Sequence, residues 1–323
     1  MTLRTYIIRR VIVIIPTLIF ISMVIFSLIH LAPGDPLYAM VGRHPIHPDT
    51  LEMIRREFGL DQPVYVQYVI WLSKVVRGDL GFSYVGNRPV TAMITEKIPA
   101  TLELMLVAES IALVIAVTLG VIAAVKHHSL TDAVCSVGAL IGYSAPNFWI
   151  SLIAMMVFAG WLKVLPIGGM GSHRTFNTPL DALVDHLRHL VLPASILVIG
   201  WTAYLFRMVR SSMLDVLRQD YITTARAKGL KERVVIYKHA LRNALLPVIT
   251  YEGYSIGFLL SGAAVVETIF SWPGLGRFMV EIAGNRNYPV LMGLSMIIAV
   301  MVLTANLGAD LAYAIVDPRI RYD

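Results

Sequence analysis

Cysteine and charge are both scarce in this chain. One of its 323 residues is cysteine, Cys135, which excludes an intrachain disulfide and any metal cluster built on cysteines. Charged residues make up 15% of the sequence, whereas a soluble domain carries about 25%. Hydrophobic residues reach 57%. This balance excludes an ordinary soluble domain and favours a protein that lies in a membrane.

Several motifs of catalysis and phosphate binding are also missing. The chain has no Gly-x-x-x-x-Gly-Lys-Ser/Thr loop to hold ATP phosphates, no His-Glu-x-x-His motif, and no Gly-x-Ser-x-Gly in an apolar stretch. We therefore predict that the chain is not an enzyme, that it has no catalytic or metal-binding residues, and that it binds no cofactor. Basic residues do not alternate with aromatic ones, so the net charge of +6 predicts no nucleic-acid partner.

Six apolar stretches are long enough to cross a bilayer, which takes roughly 20 residues. Because lipid offers no hydrogen-bond partner to the backbone, each of them must be helical. The predicted spans are Val11–Ala32, Thr101–Val125, Ala133–Leu162, Leu190–Met208, Ala244–Val266 and Tyr288–Val316. The fold class is therefore predicted to be all-α, a polytopic membrane protein with six transmembrane helices. Pro146 lies within the third span and predicts a kink there.

The distribution of Lys and Arg predicts which segments face the cytoplasm. The stretch Arg207–Arg242 alone carries 9 basic and 3 acidic residues. With the N-terminus inside, the inner segments hold 15 basic and 6 acidic residues, and the outer segments hold 12 and 11. We therefore predict a multi-pass protein of the cell (inner) membrane, with both termini in the cytoplasm.

The polar stretches between the spans divide the chain further. The predicted parts are a cytoplasmic N-terminus with the first span (1–32), a folded external cap (33–100), a membrane core (101–316) that includes a cytoplasmic segment (209–243), and a cytoplasmic tail (317–323). Within the cap, Val64–Val76 is amphipathic and predicts a helix with Tyr68 and Trp71 on its apolar side. Trp272 is predicted to lie in the aromatic belt at the membrane surface.

The basic segment contains a helical pattern of small residues. Tyr221, Ala225, Lys228 and Gly229 follow one another at i, i+4, i+7 and i+8, so a helix would place them on one face. Ala225 and Gly229 would make that face low enough for the backbone of another protein to approach. Gly229 also suits a helix end, where a left-handed residue is needed. The alternative is a solvated basic loop held to anionic lipid.

Polar residues inside the spans are candidates for lining a solute pathway. We select Ser144, Asn147 and Glu252, although Ser144 and Asn147 could also satisfy the carbonyl groups freed by Pro146. Weaker candidates in the spans are Glu103, Glu109, Asn306 and Asp310. His186 and His189 have an i, i+3 spacing that could bind a metal, but we predict no metal site there.

The basic segment resembles the coupling-helix motif of ABC importer permeases, E-A-A-x3-G followed by I-x-L-P. Its sequence most resembles the dipeptide, oligopeptide and nickel branch of this family. The matching motifs are D-Y-x-x-T-A-R-A-K-G-L from Asp220 and H-x-L-R-N-A-L-L-P from His239. Thr223 and Thr224 stand where the general motif has Glu and Ala, a departure typical of the peptide branch. Further matches cover almost the whole chain: Tyr6–Arg10, His30–Pro36, Gly59–Pro63, Gly78–Gly81, Pro99–Glu103, Phe270–Arg277 and Asp317–Arg319.

This resemblance implies a type I ABC importer permease fold and a chain that is the first of two homologous permeases in a heterodimer. It also implies two cytoplasmic ATPase subunits that carry ATP and Mg, and an extracellular or periplasmic substrate-binding protein. The residues implied to couple to the ATPase are Tyr221, Thr224, Ala225, Lys228, Gly229 and Leu230.

The sequence motif of the basic segment favours di- or oligopeptides as the substrates. Nickel, a metal chelate or another small solute remains an alternative, because Pro146–Trp149 also resembles nickel-type members. An ion-coupled secondary transporter is less favoured, since the chain shows no internal repeat and Glu252 alone supports that class.

Overall fold

The computed structural model describes residues 3–31, 52, 53, 56, 61–172, 175, 176, 178–259 and 261–316. Regular structure in these residues is helical, and one isolated antiparallel bridge joins Phe82 to Pro89. The predicted all-α class is confirmed. Residues 33–51, 54, 55 and 57–60 of the predicted cap and the predicted tail 317–323 lie outside the described residues.

Helices of very different lengths follow one another along the chain. In chain order they are α1 (Leu3–Leu31), α2 (Val64–Val76), α3 (Val90–Thr95), α4 (Ile98–Val125), α5 (Leu130–Ser144), α6 (Asn147–Ala154), α7 (Pro179–Leu217), α8 (Asp220–Ala227), α9 (Glu232–Val234), α10 (Leu241–Ala244), α11 (Leu246–Leu259), α12 (Ala264–Ile269), α13 (Leu275–Gly284) and α14 (Tyr288–Val316). A π-helical stretch, Met155–Trp161, continues α6, and another, Val235–Ala240, joins α9 to α10.

Local signals explain where two of the long helices begin. Ser129 precedes α5, and its side-chain oxygen accepts a hydrogen bond from the backbone N–H of Asp132 at 3.3 Å. Thr178 precedes α7 and accepts from the N–H of Asp181 at 3.2 Å. Pro179 occupies the first position of α7, where its missing N–H leaves no hydrogen bond unmade. Both starts therefore satisfy backbone donors that a helix leaves free.

Two compact units make up the chain, and the first combines residues 1–99 with residues 274–323. In this unit α1 packs along α14, and Arg10 Nε lies 3.2 Å from Asp310 Oδ2. Helix α2 packs on α1, where Tyr68 and Ser22 share a hydrogen bond of 2.9 Å between their hydroxyl oxygens. The amphipathic helix predicted at Val64–Val76 is confirmed, with Tyr68 on its packed side.

A buried asparagine connects two parts of the first unit. Asn287, just before α14, donates from Nδ2 to Ser83 Oγ at 2.7 Å and accepts at Oδ1 from the N–H of Tyr84 at 3.3 Å. It is 4% exposed. Both of its bonds therefore link the loop before α3 to the start of α14 without help from solvent.

We expect Asn287→Ala to lower the stability of the protein by about 1–3 kcal/mol, because it leaves buried polar groups unpaired. Thermal unfolding of the detergent-purified protein measures the change. Asn285→Ala, at an exposed position two residues earlier, is the matched control and should leave the melting temperature unchanged. Equal effects of the two substitutions would contradict the role of the buried amide.

The predicted total of six membrane-spanning helices is confirmed only in part by the described residues. In the described part of the chain, four helical stretches are long and apolar enough to cross a membrane: Arg9–Leu31, Val90–Val125, Pro179–Leu217 and Tyr288–Asp310. A fifth is added if Leu130–Ser144 and Asn147–Trp161 count as one span, but these bend by 99°. The kink predicted at Pro146 is thus a full break. The predicted span Ala244–Val266 is not confirmed, because α11 contains 14 residues and ends at Leu259.

The second unit, residues 100–273, holds two clusters of buried apolar side chains. One cluster surrounds Trp272, whose side chain is 0% exposed and whose Nε1 donates to the carbonyl oxygen of Ala100 at 2.7 Å. The prediction that Trp272 lies in an interfacial belt was therefore wrong. The other cluster joins α4, α7 and α8 and includes Ala225, one of the candidate coupling residues.

Candidate functional site

The candidate coupling residues lie on α8 and the turn that follows it. Helix α8 ends at Ala227, and Lys228 closes it with a backbone hydrogen bond from its N–H to the carbonyl of Thr224 at 3.0 Å. Gly229 follows with a φ of +74° and donates from its N–H to the carbonyl of Arg226 at 2.9 Å. The expectation that this glycine ends the helix in the left-handed conformation is confirmed.

Ala225 does not lie on the open surface of α8. Its side chain is 6% exposed and packs with Ile222, which is fully buried, against Val209 and Met213 of α7 in one apolar cluster. Our prediction that Ala225 leaves a low surface for another protein was therefore wrong. The alanine is small because α8 packs closely on this chain's own core.

The remaining candidate residues are exposed on this chain. Tyr221, Thr224, Lys228, Gly229 and Leu230 all belong to this set. A Cβ atom built on Gly229 would have no other atom within 4 Å. The turn after α8 therefore presents free surface of mixed apolar and basic character.

Two contacts fix this turn against the following helices. Arg226 donates from Nη2 to Glu232 Oε1 at 2.7 Å and from Nε to Glu232 Oε2 at 3.2 Å. The hydrogen bond from Arg226 lowers the pKa of the Glu232 carboxyl below its ordinary value, so the pair stays charged at neutral pH. Asn243 Nδ2 donates to the hydroxyl oxygen of Tyr221 at 2.8 Å. The exposed residues are thereby held in a defined shape.

Ser144 and Asn147 lie on either side of the break between α5 and α6. Both are exposed on this chain. Asn147 begins α6, and its carbonyl oxygen accepts a hydrogen bond from Ser151 Oγ at 2.7 Å. A Cβ atom on Gly200 of α7 would lie 3.8 Å from Asn147 Oδ1. The broken span therefore rests on α7 at this point.

Glu252 lies in α11, and the fold brings it next to Glu109 of α4. Its Oε2 accepts from Ser255 Oγ at 3.3 Å, whereas its buried Oε1 has no hydrogen-bond partner among the described residues. The sequence marked each of these two acids as unusual for an apolar helix, but it held no signal that they meet. Neither Ser144 nor Asn147 is hydrogen-bonded to Glu252 in the described parts of the chain.

Most of the other polar candidates have partners within their own units, whereas the buried Oδ1 of Asn306 has no hydrogen-bond partner among the described residues. Glu103 pairs with His186 Nε2, and His186 Nδ1 donates to the carbonyl of Met170 at 2.8 Å. His189 Nδ1 donates to the carbonyl of Asp185 at 2.7 Å. Within the described residues, no group of three His, Cys, Asp or Glu side chains could hold a metal ion. Both histidines are held by backbone carbonyl groups of this chain.

The chain has the features of a membrane transport component: long apolar helices, a broken span and an exposed helix end held by hydrogen bonds. Residues 116–322 match the family described as "Binding-protein-dependent transport system inner membrane component", and residues 3–105 match the N-terminal family of the same systems. The chain belongs to this family. It is a permease component, and ATP hydrolysis in such systems is carried out by other subunits.

Relatives match the chain over nearly its full length. It is 46% identical over 321 residues to the oligopeptide transport system permease protein AppB of Bacillus subtilis, covering 99% of this chain and 100% of the relative. It is 40% identical to the dipeptide transport system permease protein DppB of Escherichia coli, covering 98% of each chain. The DppB protein of Alkalihalophilus pseudofirmus is also 40% identical, covering 98% of this chain and 99% of the relative.

Proposed function

We propose that this chain is one of two homologous permease subunits in an ATP-driven importer of di- or oligopeptides. The match in length and identity to permeases named for oligopeptide and dipeptide transport carries this proposal. An extracellular or periplasmic binding protein delivers the peptide. Two cytoplasmic ATPases bind ATP and Mg and supply the energy, since this chain has no phosphate-binding loop of its own.

The proposed arrangement has six spans, an external cap in residues 33–100 and both termini in the cytoplasm of the cell membrane. It is supported by the excess of basic residues in the segment 209–243, which the positive-inside rule places in the cytoplasm. The fifth of these spans, Ala244–Val266, requires α11 to cross together with the residues after it. Membrane insertion of this short, acid-containing helix would depend on neighbouring helices of the assembly.

Coupling to the ATPase takes place at the exposed end of α8. Tyr221, Thr224, Lys228, Gly229 and Leu230 form the docking surface, and the rigid turn gives that surface a fixed shape. Ala225 does not contact the ATPase directly in this proposal, although the family resemblance implied a coupling role for it. Together with Ile222 it fastens α8 to α7, so that force applied to the docking surface reaches the membrane core.

Solute passes along the broken span in this proposal. Ser144 and Asn147 line the pathway at the break, and the half-paired carboxylate of Glu252 contributes a polar group from α11. The meeting of two acids, Glu109 and Glu252, in apolar helices supports a functional reason for Glu252. Selection among peptides belongs mainly to the binding protein.

ATP dependence of uptake tests the proposed function. In cells that rely on this importer, depleting ATP while the proton gradient is kept intact should stop uptake of a labelled dipeptide. Uptake that continues without ATP would instead identify an ion-coupled secondary transporter. The ligand that copurifies with the cognate binding protein decides between a peptide and the nickel, metal-chelate or small-solute alternatives.

A further inference from the structure

An ion pair between a buried aspartate and a partly buried arginine joins the start of α5 to α7. Arg210 donates from Nε to Asp132 Oδ1 at 2.6 Å and from Nη2 to Asp132 Oδ2 at 2.8 Å. The same carboxylate accepts from the N–H of His128 at 3.1 Å and from Ser136 Oγ at 3.4 Å. The Asp132 side chain is 7% exposed. Two parallel charge-assisted bonds fix the relative position of two helices more firmly than a single bond does.

The turn of α7 that carries Arg210 is also in contact with α4 and α8. Val209 is fully buried and lies so close to α4 that a Cβ atom on Gly120 would be 2.7 Å from Val209 Cγ1. Met213, one turn later, is buried in the cluster that holds Ile222 and Ala225 of α8. Two residues separate the end of α7 from the start of α8. A displacement of α8 therefore acts directly on this turn of α7.

Helix α5 follows α7 from the ion pair to the break in the span. A Cβ atom on Gly142 would lie 3.1 Å from Ile199 Cγ2, so the two helices approach closely near the end of α5. The guanidinium carbon of Arg207 lies 4.3 Å from the centre of the Tyr143 ring. Beyond these contacts α5 ends and the chain turns by 99° into α6. The Asp132–Arg210 pair is the charged contact at the opposite end of α5 from the break.

We infer that Asp132 and Arg210 are positioning residues that transmit the movement of α8, through α7, to the broken span that lines the pathway. The bidentate pair makes α5 follow α7, so that the angle at the break changes when α8 moves. Two contacts between α5 and α7 nearer the break, the apolar approach of Gly142 to Ile199 and the cation–π contact of Arg207 with Tyr143, allow the helices to slide. This inference rests on the proposed function, because it requires a partner that moves α8.

The test compares Asp132→Asn and Arg210→Lys in the whole importer, purified with its partner subunits and reconstituted in liposomes. Arg210→Lys keeps the positive charge, but an ammonium group cannot donate the two parallel bonds of a guanidinium. We expect ATP hydrolysis per assembled complex to remain near that of the unchanged protein. The number of peptides transported per ATP should fall by about two- to thirty-fold, the range found for residues that modulate coupling.

Two further variants separate transmission from general damage. Glu281→Gln removes the exposed ion pair between Arg277 and Glu281, whose atoms are 3.1 Å apart, and should leave the transport ratio unchanged. The double variant D132R/R210D restores a pair of opposite charge and should recover part of the lost ratio. A merely structural pair would lower the amount of assembled complex and would leave the ratio unaltered.

The inference is overturned by an unchanged ratio in Arg210→Lys, or by transport and ATP hydrolysis that fall in the same proportion. Failure of both single variants to assemble also overturns it, since the pair would then serve folding. Uptake by the unchanged complex is measured in the same experiment. If that uptake does not depend on ATP, the proposed function is contradicted, and the inference, which rests on it, is contradicted as well.

Discussion

Replacing Gly229 with tryptophan is expected to abolish most of the transport while leaving the protein folded and inserted. Gly229 has a φ of +74°, and no atom of this chain lies within 4 Å of an added Cβ. The indole would therefore project from the surface at the end of α8, where we propose that the ATPase docks. A steric mismatch of about 1–3 kcal/mol lowers an association constant by roughly 5- to 150-fold.

Two control variants isolate the effect of bulk at this site. Gly229→Ala carries the same backbone strain, about 1–2 kcal/mol for a left-handed residue, but adds one methyl group. Gly86→Trp places the same side chain on a glycine with the same φ of +74° and the same open space, in the unit that does not contain α8. We expect both controls to transport well.

Measurement of this prediction requires three quantities for each variant. These are the amount of protein in the membrane, the amount of ATPase that copurifies with it, and the rate of labelled dipeptide uptake. Gly229→Trp should be present in the membrane in normal amount, but it should lose both the copurifying ATPase and the dipeptide uptake. Normal copurification and uptake by Gly229→Trp would exclude the end of α8 as the docking surface. Equal losses in Gly86→Trp would show that the indole itself is harmful.

The second large effect is expected from Trp272→Ala, which should destabilise the protein by about 3–5 kcal/mol. Trp272 is 0% exposed and packs in the cluster of Leu104 and Phe270. Its removal leaves a cavity of indole size and loses the hydrogen bond to the carbonyl oxygen of Ala100. Trp272→Phe fills most of the volume but loses the hydrogen bond, so we expect a smaller loss of about 1–3 kcal/mol.

Thermal unfolding in detergent measures both changes, and Trp161→Ala is the matched control. Trp161 is 72% exposed on this chain. A substitution at such a position changes stability by about 0.5 kcal/mol or less. The order of melting temperatures should therefore be Trp161→Ala, then Trp272→Phe, then Trp272→Ala. A melting temperature of Trp272→Ala equal to that of Trp161→Ala would contradict the buried position of Trp272.

Features that depend on neighbours in the sequence could be predicted correctly. The limits of α2 agree with the predicted Val64–Val76, because an amphipathic pattern of short range sets both its length and its packed side. The left-handed conformation of Gly229 was predicted for the same reason. A glycine after a basic last turn ends a helix whatever the rest of the fold does.

Features that depend on distant parts of the chain could not be predicted. Ala225 and Gly229 looked equivalent as small residues on one face, but the packing of α7 against α8 buries the first and leaves the second exposed. Trp272 carries the amphipathic ring that is typical of membrane interfaces, yet the helices around it form a core. Pro146 predicts an interruption, whereas the angle of 99° depends on how α5 and α6 pack.

Composition and local pattern alone determined that this chain is a helical membrane protein, because in lipid the polar backbone of an apolar segment must satisfy its own hydrogen bonds. They also determined where the exposed turn after α8 lies. Only the tertiary structure decided that Asp132 meets Arg210 and that Glu109 meets Glu252. Those residues are separated by about 80 positions or more, and nothing local in a sequence records which helices pack together.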